Sequence, residues 1–181
     1  MQYDEKLIVE QLADPQTRRK AFEAVVRHYG PQLYWKIRRF VLVHEDADDV
    51  LQNTFVKAWV NLSDFRNLSK ISTWLYSIAV NESLDFLRKQ KNKKNTIADG
   101  NIGVAIMLQA DTYFDGDKTM ALLHEAVASL PDVQRMVFSL RYFDNMKYSE
   151  MSQMLKTSEG ALKASYHIAA QKVATYVKLR E

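Results

Sequence analysis

One set of side chains in the middle of the chain has the chemistry of a nucleic-acid surface. Its members are spaced four, three, four and three residues apart, so they align on one face of a helix; they are Trp74, Ile78, Asn81, Asp85 and Arg88. An aromatic ring can stack on a base and a cation can pair with a phosphate. A Trp and an Ile buried in the core, followed by a solvated polar end, would have the same spacing. The spacing alone therefore does not decide between a nucleic-acid surface and an ordinary amphipathic helix.

The residue types that catalysis or metal binding requires are scattered along the chain. Within the helices predicted below, no histidine has a second histidine or a carboxylate at ligand spacing on the same face. The acids of the segment DADD, residues 46–49, lack the glycine turn and the regular ligand spacing of a calcium loop. The sequence has no cysteine, no glycine-rich phosphate loop and no serine elbow. We therefore expect a protein that is not an enzyme and that uses no metal or other cofactor.

Apolar periodicity predicts helices throughout the first half of the chain. Two short helices are expected at 4–14 and 17–29, and Pro31 is expected to end the second and to open a third. Asp46 is the predicted N-cap of the helix with the acidic start. Ser72 is the predicted N-cap of the long helix that carries the nucleic-acid-like face.

The last third of the chain has the spacing of a helix-turn-helix. Helices are predicted at 118–129 and from Pro131 onwards, followed by a short helix at 149–155, a tight turn at 156–158 and a longer helix from Glu159. A helical hairpin in a bundle has the same pattern, so the spacing alone leaves DNA binding as one of two interpretations.

Composition and charge divide the chain into three segments. Residues 1–94 carry a formal charge of +4, residues 95–117 carry −4 and residues 118–181 carry +3. The acidic segment holds three of the five glycines, which is typical of a linker. Five glycines and three prolines are too few for a turn-rich β-fold. We therefore predict an all-α fold with two small helical domains, 1–94 and 118–181, joined by a flexible linker.

The sequence also predicts where the protein works. The absence of cysteine fits a reducing compartment. No run approaches the roughly 18 apolar residues of a transmembrane helix, and the acidic N-terminus differs from a signal peptide. We expect a cytoplasmic protein without membrane insertion.

Two motifs follow one another before the linker. The first consists of an Ala, two acids, two aliphatic residues, Gln, Thr and Phe, at Ala47, Asp48, Asp49, Val50, Leu51, Gln52, Thr54 and Phe55. The second is Trp-Leu, Ile-Ala, Asn, Asp and Leu-Arg, at Trp74, Leu75, Ile78, Ala79, Asn81, Asp85, Leu87 and Arg88. In this order, with the helix-turn-helix after them, the motifs resemble bacterial RNA polymerase sigma factors of the extracytoplasmic-function group. The resemblance covers roughly residues 20–178.

The resemblance implies a role for each motif. In that family the acidic helix docks on core RNA polymerase, and the implied polymerase contacts are Asp48, Asp49, Gln52 and Phe55. The second long helix and the loop before it open and read the minus-ten promoter element. The implied DNA contacts there are Arg66, Asn67, Trp74, Asn81, Asp85, Arg88 and Lys89.

The helix-turn-helix domain, by the same resemblance, reads the minus-thirty-five element. The implied contacts are Ser158, Glu159, Lys163, Ala164 and His167. The chain departs from the family here, because Ser165, Ile168 and Ala170 stand where relatives usually carry arginines. Anchoring by cations elsewhere, at Arg135, Arg141 and Lys147, is therefore an open alternative.

Taken with the residues that carry it, the resemblance implies an alternative sigma factor that directs promoter recognition and transcription initiation. The expected partners are core RNA polymerase, promoter DNA and an anti-sigma factor. Two alternatives stay open: a sigma-like mimic that binds an anti-sigma protein, and a stand-alone helix-turn-helix regulator. The mimic would need neither the acidic patch that docks on polymerase nor the Trp74 face, and the regulator would not need the acidic helix.

Overall fold

The computed structural model describes residues 3–65, 69–94 and 118–180, and every regular element in this part of the chain is a helix. The predicted all-α class is thereby confirmed. The predicted linker, 95–117, lies outside the described residues. Internal contacts divide the chain into two compact units, Met1–Arg38 with Glu45–Phe86 and Arg39–His44 with Leu87–Glu181.

The first unit is built from four helices and one short 3₁₀ turn. The elements are α1 (Glu5–Ala13), α2 (Arg18–Val41), α3 (His44–Val60), the 3₁₀ turn (Leu62–Asp64) and α4 (Ile71–Lys94). Helices α2 and α4 each extend beyond the first unit. The domain limits at 94 and 118 therefore remain predictions. The core side chains of this unit include Val25, Ile37, Val50, Leu75 and Val80, each at most 1% exposed.

The predicted helix break at Pro31 is wrong, because α2 runs unbroken from Arg18 to Val41 with the proline inside it. A proline in a helix interior removes one backbone hydrogen bond and costs about 3 kcal/mol. The turns around it bury Tyr29, Leu33 and Ile37. Each such burial contributes about 1.5–3 kcal/mol, so the packing of α2 outweighs the local preference of proline.

Two predicted N-caps are also wrong. Helix α3 begins at His44, so Asp46 lies in its first turn instead of preceding it. The turn between α2 and α3 comes before the predicted cap, because Leu42, just after α2, adopts a left-handed φ of 68°. Helix α4 begins at Ile71, which places Ser72 inside the helix.

The second unit contains the predicted helix-turn-helix. Its helices are α5 (Lys118–Ala128), α6 (Asp132–Tyr142), α7 (Tyr148–Leu155) and α8 (Glu159–Lys178). The apolar faces of α5, α6 and α8 meet in one cluster of buried side chains, together with Leu130 from the connection between α5 and α6: Ala126, Val127, Leu130, Phe138, Ala169 and Val173. The predicted short helix, three-residue turn and long helix are thus confirmed in type and order.

Candidate functional site

The acidic start of α3 presents a polar face to solvent. Asp48, Asp49 and Gln52 are exposed. The opposite face of the helix is held in the core by Val50 and Ala58, which are at most 1% exposed. The three polar side chains therefore point away from the core from a fixed helix, as ligands for a partner must.

Phe55, the fourth predicted polymerase contact, is placed differently. Its side chain is 9% exposed, and its ring packs edge-to-face on Phe22 of α2, with 6.3 Å between centroids. Phe55 lines the bottom of a groove between α2 and α3, so a partner could reach only part of this ring. Its contribution to binding stays a prediction.

This groove is an open, mostly apolar feature on the surface of the first unit. Its volume is about 780 Å³, and its apolar lining consists of Phe22, Val26, Leu51, Phe55, Val56 and Trp59. Trp59 and Val56 are 42% and 56% exposed, with the Trp59 ring 5.1 Å from that of Phe22. Polar side chains at its border are Arg19, Glu23, Asp48 and Gln52. An exposed apolar surface with a polar border is typical of a protein-binding site.

The sequence analysis missed this groove because its lining comes from two helices. Trp59 lies on the apolar stripe of α3, a pattern typical of a core position, whereas the structure leaves the residue 42% exposed. The available signal was the width of the apolar stripe on α3, which also includes the exposed Val56 and Val60.

Helix α4 carries the predicted minus-ten contacts on one continuous element. Trp74 is half-buried, and its ring lies 5.1 Å from that of Phe65, at the end of the preceding described segment. Trp74 is therefore neither a fully buried core residue nor a free surface ring.

Asn81 is exposed, and its amide donates a hydrogen bond of 2.8 Å to the Ser77 carbonyl. That hydrogen bond fixes the orientation of the side-chain amide, including its carbonyl oxygen.

The polar end of the same helix is solvent-exposed. Asp85 belongs to the first unit, while Arg88 and Lys89 lie on the part of α4 that is assigned to the second. All three side chains are exposed, as a surface for DNA requires. The two predicted loop contacts, Arg66 and Asn67, lie outside the described residues.

The turn between α7 and α8 is tight. Lys156 adopts a left-handed φ of 51°, a conformation that favours glycine, and ends α7. Ser158 is the N-cap of α8, where its hydroxyl accepts the Ala161 N–H at 3.3 Å. A side chain engaged in this cap has less freedom to contact a base.

The remaining predicted contacts of α8 share its exposed face. Ala164 and His167 are exposed, whereas Leu162 and Ala169 are buried on the other side. The Lys163 ammonium lies 3.6 Å from the Glu159 carboxylate, and both side chains are about half exposed. This pair offsets the only predicted cationic contact of the helix with a neighbouring acid.

Arg135 does not have the exposure of a phosphate anchor. It is 4% exposed, and its guanidinium donates to the Leu130 carbonyl at 2.9 Å and to the Asp132 carboxylate at 2.7 Å. Burial lowers the pKa of Arg135, although Asp132 opposes that shift. Arg141 is half-buried and donates to the Met146 carbonyl at 3.0 Å. Of the three alternative anchors, Lys147 alone is exposed.

A contact far apart in sequence fixes the start of α4. The Glu5 carboxylate, in the first turn of α1, accepts the backbone N–H of Ile71 at 3.0 Å. The two residues are 66 positions apart, so no local sequence pattern could indicate the contact. It also explains why α4 begins at Ile71, before the predicted cap Ser72.

In the described part of the chain, no group of three or more His, Cys, Asp or Glu side chains could hold a metal ion. Among the same residues, no helix combines the length and apolar character needed to span a membrane.

The chain matches two protein families in the order that its motifs predict. Residues 25–93 match sigma-70 region 2, and residues 120–173 match sigma-70 region 4. The first range contains the face of α4 and most of the lining of the α2–α3 groove, although Arg19, Phe22 and Glu23 precede it. The second range contains α7 and most of α8.

Two solved structures share the fold. A sigma factor RpoE from Bartonella quintana, in complex with the anti-sigma factor NepR, is 19% identical with a TM-score of 0.65, over 90% of this chain and 99% of that one. CnrH in complex with the cytosolic domain of CnrY is 22% identical with a TM-score of 0.63, over 98% and 99%.

Similar sequences carry the assignment beyond the fold. The RNA polymerase sigma-H factor of Pseudomonas aeruginosa is 27% identical over 155 residues, covering 81% of this chain and 80% of the relative. The ECF RNA polymerase sigma factor SigW of Bacillus subtilis is 31% identical over 156 residues, covering 81% of this chain and 83% of the relative. With both sigma-70 regions present in order, the chain belongs to the ECF RNA polymerase sigma factors.

Proposed function

We propose that this alternative sigma factor uses three surfaces, one to bind polymerase and two to recognise the promoter. The α2–α3 groove and the acidic side chains beside it bind core RNA polymerase. The face of α4 that begins at Trp74 opens the minus-ten element. The exposed face of α8 contacts the minus-thirty-five element. The observation that carries the proposal is that exposed acids border an exposed apolar groove, most of whose lining lies in the region that matches sigma-70 region 2.

The groove suits a helical partner that carries both apolar and cationic side chains. Its lining offers accessible apolar surface at Val56 and Trp59, whose burial would contribute most of the affinity. Asp48 and Gln52 lie at its border, with Asp49 beside them on the exposed side of α3. Carboxylates at such a border would steer the arginines of a partner and fix its register.

Helix α4 suits the opening of a duplex. The half-buried Trp74 is braced by Phe65, so it could act as a wedge between base steps without leaving its place. Asn81 follows two turns later, and the cations Arg88 and Lys89 lie towards the end of the helix. An aromatic residue, an amide and cations in that order would engage separated bases and then phosphates.

Helix α8 suits weak, largely uncharged base contacts. Lys163 is paired with Glu159, and Ser158 is used as a cap. Ala164 and His167 offer a methyl group and an imidazole to the major groove. The affinity of this unit for DNA alone should therefore be low, and core polymerase would have to hold it on the promoter.

The same proposal covers catalysis, location and regulation. The chain would act by binding alone and would catalyse no reaction. It would work in the cytoplasm, where bacterial polymerase meets DNA. Because the solved structure of the sigma factor RpoE, which shares this fold, is a complex with the anti-sigma factor NepR, we also propose that an anti-sigma protein restrains this chain.

The test is run-off transcription with purified core polymerase, with and without the chain. We expect promoter-dependent transcripts only when the chain is present. The double variant Asp49→Arg, Gln52→Ala should bind core polymerase more weakly by about 2–5 kcal/mol of binding free energy, because reversing a charge replaces attraction with repulsion. Glu10→Arg, at an exposed position of α1, is the matched charge-reversal control.

Two outcomes would contradict the proposal. Unchanged affinity of the double variant for core polymerase, with normal helical circular dichroism, would exclude the α3 face as the docking site. Absence of both core binding and promoter-dependent transcripts would instead favour the sigma-like mimic.

A further inference from the structure

The N-terminal helix α1 is held rigidly against the first unit. Its N-cap is Asp4, whose carboxylate accepts the N–H groups of Lys6 at 3.0 Å and Leu7 at 3.3 Å. Ile8 and Leu12 are buried, at 8% and 5% exposure. The start of the helix is thus capped, and its apolar side is packed.

The residues around α1 restrain it further. Arg18 donates to the Leu12 carbonyl at 2.9 Å, and Thr17 donates to the Gln11 carbonyl at 2.8 Å. Just before the N-terminal end of the helix, the Tyr3 ring stacks on His28 with 3.8 Å between centroids. A helix that is fixed at both ends and buried along one side can place a side chain accurately.

Glu5 is the side chain that this arrangement places. One carboxylate oxygen accepts the Ile71 N–H at 3.0 Å, in a half-buried environment. Burial raises the pKa of the Tyr29 hydroxyl, and the charge of Glu5 adds to that shift. From the first turn of α1, Glu5 thus contacts the first residue of α4.

The contact meets a requirement of α4. The first N–H groups of a helix lack partners within the helix, and an acceptor there stabilises the first turn. Lys70, the residue before α4, has only donors in its side chain and cannot cap it. A carboxylate at this position also interacts favourably with the positive end of the helix dipole.

We propose that Glu5 is a positioning residue for promoter opening: it caps α4 from the N-terminal helix and thereby fixes the turn that carries Trp74. The first turn closes with a hydrogen bond from the Trp74 N–H to the Lys70 carbonyl at 3.1 Å. If that turn frays, the Trp74 ring loses its fixed direction. This inference rests on the proposed role of α4 in opening the minus-ten element.

The test measures the hydrogen bond and its consequence separately. Amide exchange at Ile71 is followed by NMR in the free full-length chain, and promoter opening is followed by permanganate footprinting with reconstituted holoenzyme. Core affinity is measured in parallel. The variants are Glu5→Ala, Glu5→Gln, which keeps an acceptor oxygen, and Glu10→Ala, which removes an exposed acid from the same helix.

We expect Glu5→Ala to remove the protection of the Ile71 amide and to slow opening about fivefold, the size of a lost N-cap. Core affinity should not change. Glu5→Gln should retain most of the Ile71 amide protection and most of the opening rate. Glu10→Ala should behave as the unsubstituted chain. The inference is overturned if Ile71 protection is lost while opening keeps its normal rate, or if core affinity falls as much as opening does.

A fourth variant, Trp74→Ala, separates this inference from the proposed function. Slow opening with Trp74→Ala but normal opening with Glu5→Ala would contradict the inference alone. Slow opening with Glu5→Ala but normal opening with Trp74→Ala would contradict the proposed role of Trp74, and with it the inference that Glu5 acts through the turn that carries Trp74. Normal opening with both variants would contradict both.

Discussion

The ammonium of Lys57 in α3 donates a hydrogen bond to the carboxylate of Glu82 in α4. The pair joins the helix that we propose binds polymerase to the helix that we propose opens DNA. Glu82 is mostly covered, with 16% of its side chain exposed, whereas Lys57 is half exposed. Because water screens the exposed partner, the pair should contribute less than about 1 kcal/mol.

The pair predicts a pH dependence at alkaline pH. The hydrogen bond with Glu82 raises the pKa of Lys57 above its usual value. A raised pKa in the folded state means that the stabilisation is complete below the unfolded pKa of about 10.4 and is lost as the pH rises through the folded pKa. The stability advantage of the unsubstituted chain over Lys57→Met should therefore shrink above about pH 10.4.

Urea unfolding followed by circular dichroism measures this advantage at each pH. Glu82→Gln serves as the control background, because it removes the carboxylate and leaves a side chain of similar size. In that background Lys57→Met should have a smaller effect that varies less with pH. The same pH dependence with and without Glu82 would exclude the pair as its cause.

Local pattern was sufficient for the type and order of the helices but not for the contacts that fix their ends. Apolar periodicity indicated α5 to α8 and the turn before Glu159 because those signals lie within a few residues. Helix α2 continues through Pro31 because it packs against other helices. The start of α4 depends on Glu5, which lies 66 residues before Ile71. Such contacts exist only after the chain has folded.

The same distinction applies to the candidate site. The polar face of α3 could be predicted because Asp48, Asp49 and Gln52 lie in one motif and are all exposed. The groove could not, since its lining combines Phe22 of α2 with Trp59 of α3. A periodicity argument assigns such residues to a core without indicating how much of each ring stays accessible.

Trp74 and its neighbour Leu75 should separate promoter opening from stability. Leu75 is fully buried, so Leu75→Ala should cost about 2–5 kcal/mol of unfolding free energy. Trp74 is only half-buried, and Trp74→Ala should cost less, about 1–2 kcal/mol, because its ring packs mainly on Phe65. Thermal melts measure both effects. Only Trp74→Ala should reduce permanganate reactivity of the bubble at temperatures where both variants are folded; equal reductions would contradict the wedge role.

His124 predicts a loss of stability in mild acid. Its ring stacks on Phe143 with 5.3 Å between centroids, and burial lowers the pKa of the imidazole. A lowered pKa means that the unfolded chain takes up the proton first as the pH falls below about 6.5, so acidification favours unfolding. Relative to His124→Phe, which cannot titrate, the unsubstituted chain should lose stability between pH 7 and pH 5. Chemical unfolding at these pH values is the measurement, and parallel curves for the two proteins would contradict it.

Lys163 and Glu159 predict opposite changes in DNA binding by the full-length chain. The Lys163 ammonium lies 3.6 Å from the Glu159 carboxylate, so part of its charge is already balanced before DNA arrives. Lys163→Ala should make the slope of log affinity against log salt shallower by at most about 0.9, the value for one phosphate contact. Glu159→Gln should raise affinity, because it removes an acid from the DNA face and leaves the lysine charge available. Lys172→Ala is the control, since Lys172 lies on the other side of α8 and donates to Gln134 at 2.9 Å. Fluorescence anisotropy on a promoter duplex at several salt concentrations measures all three variants. If Glu159→Gln weakens binding, Glu159 itself contacts the DNA and the paired-charge explanation is wrong.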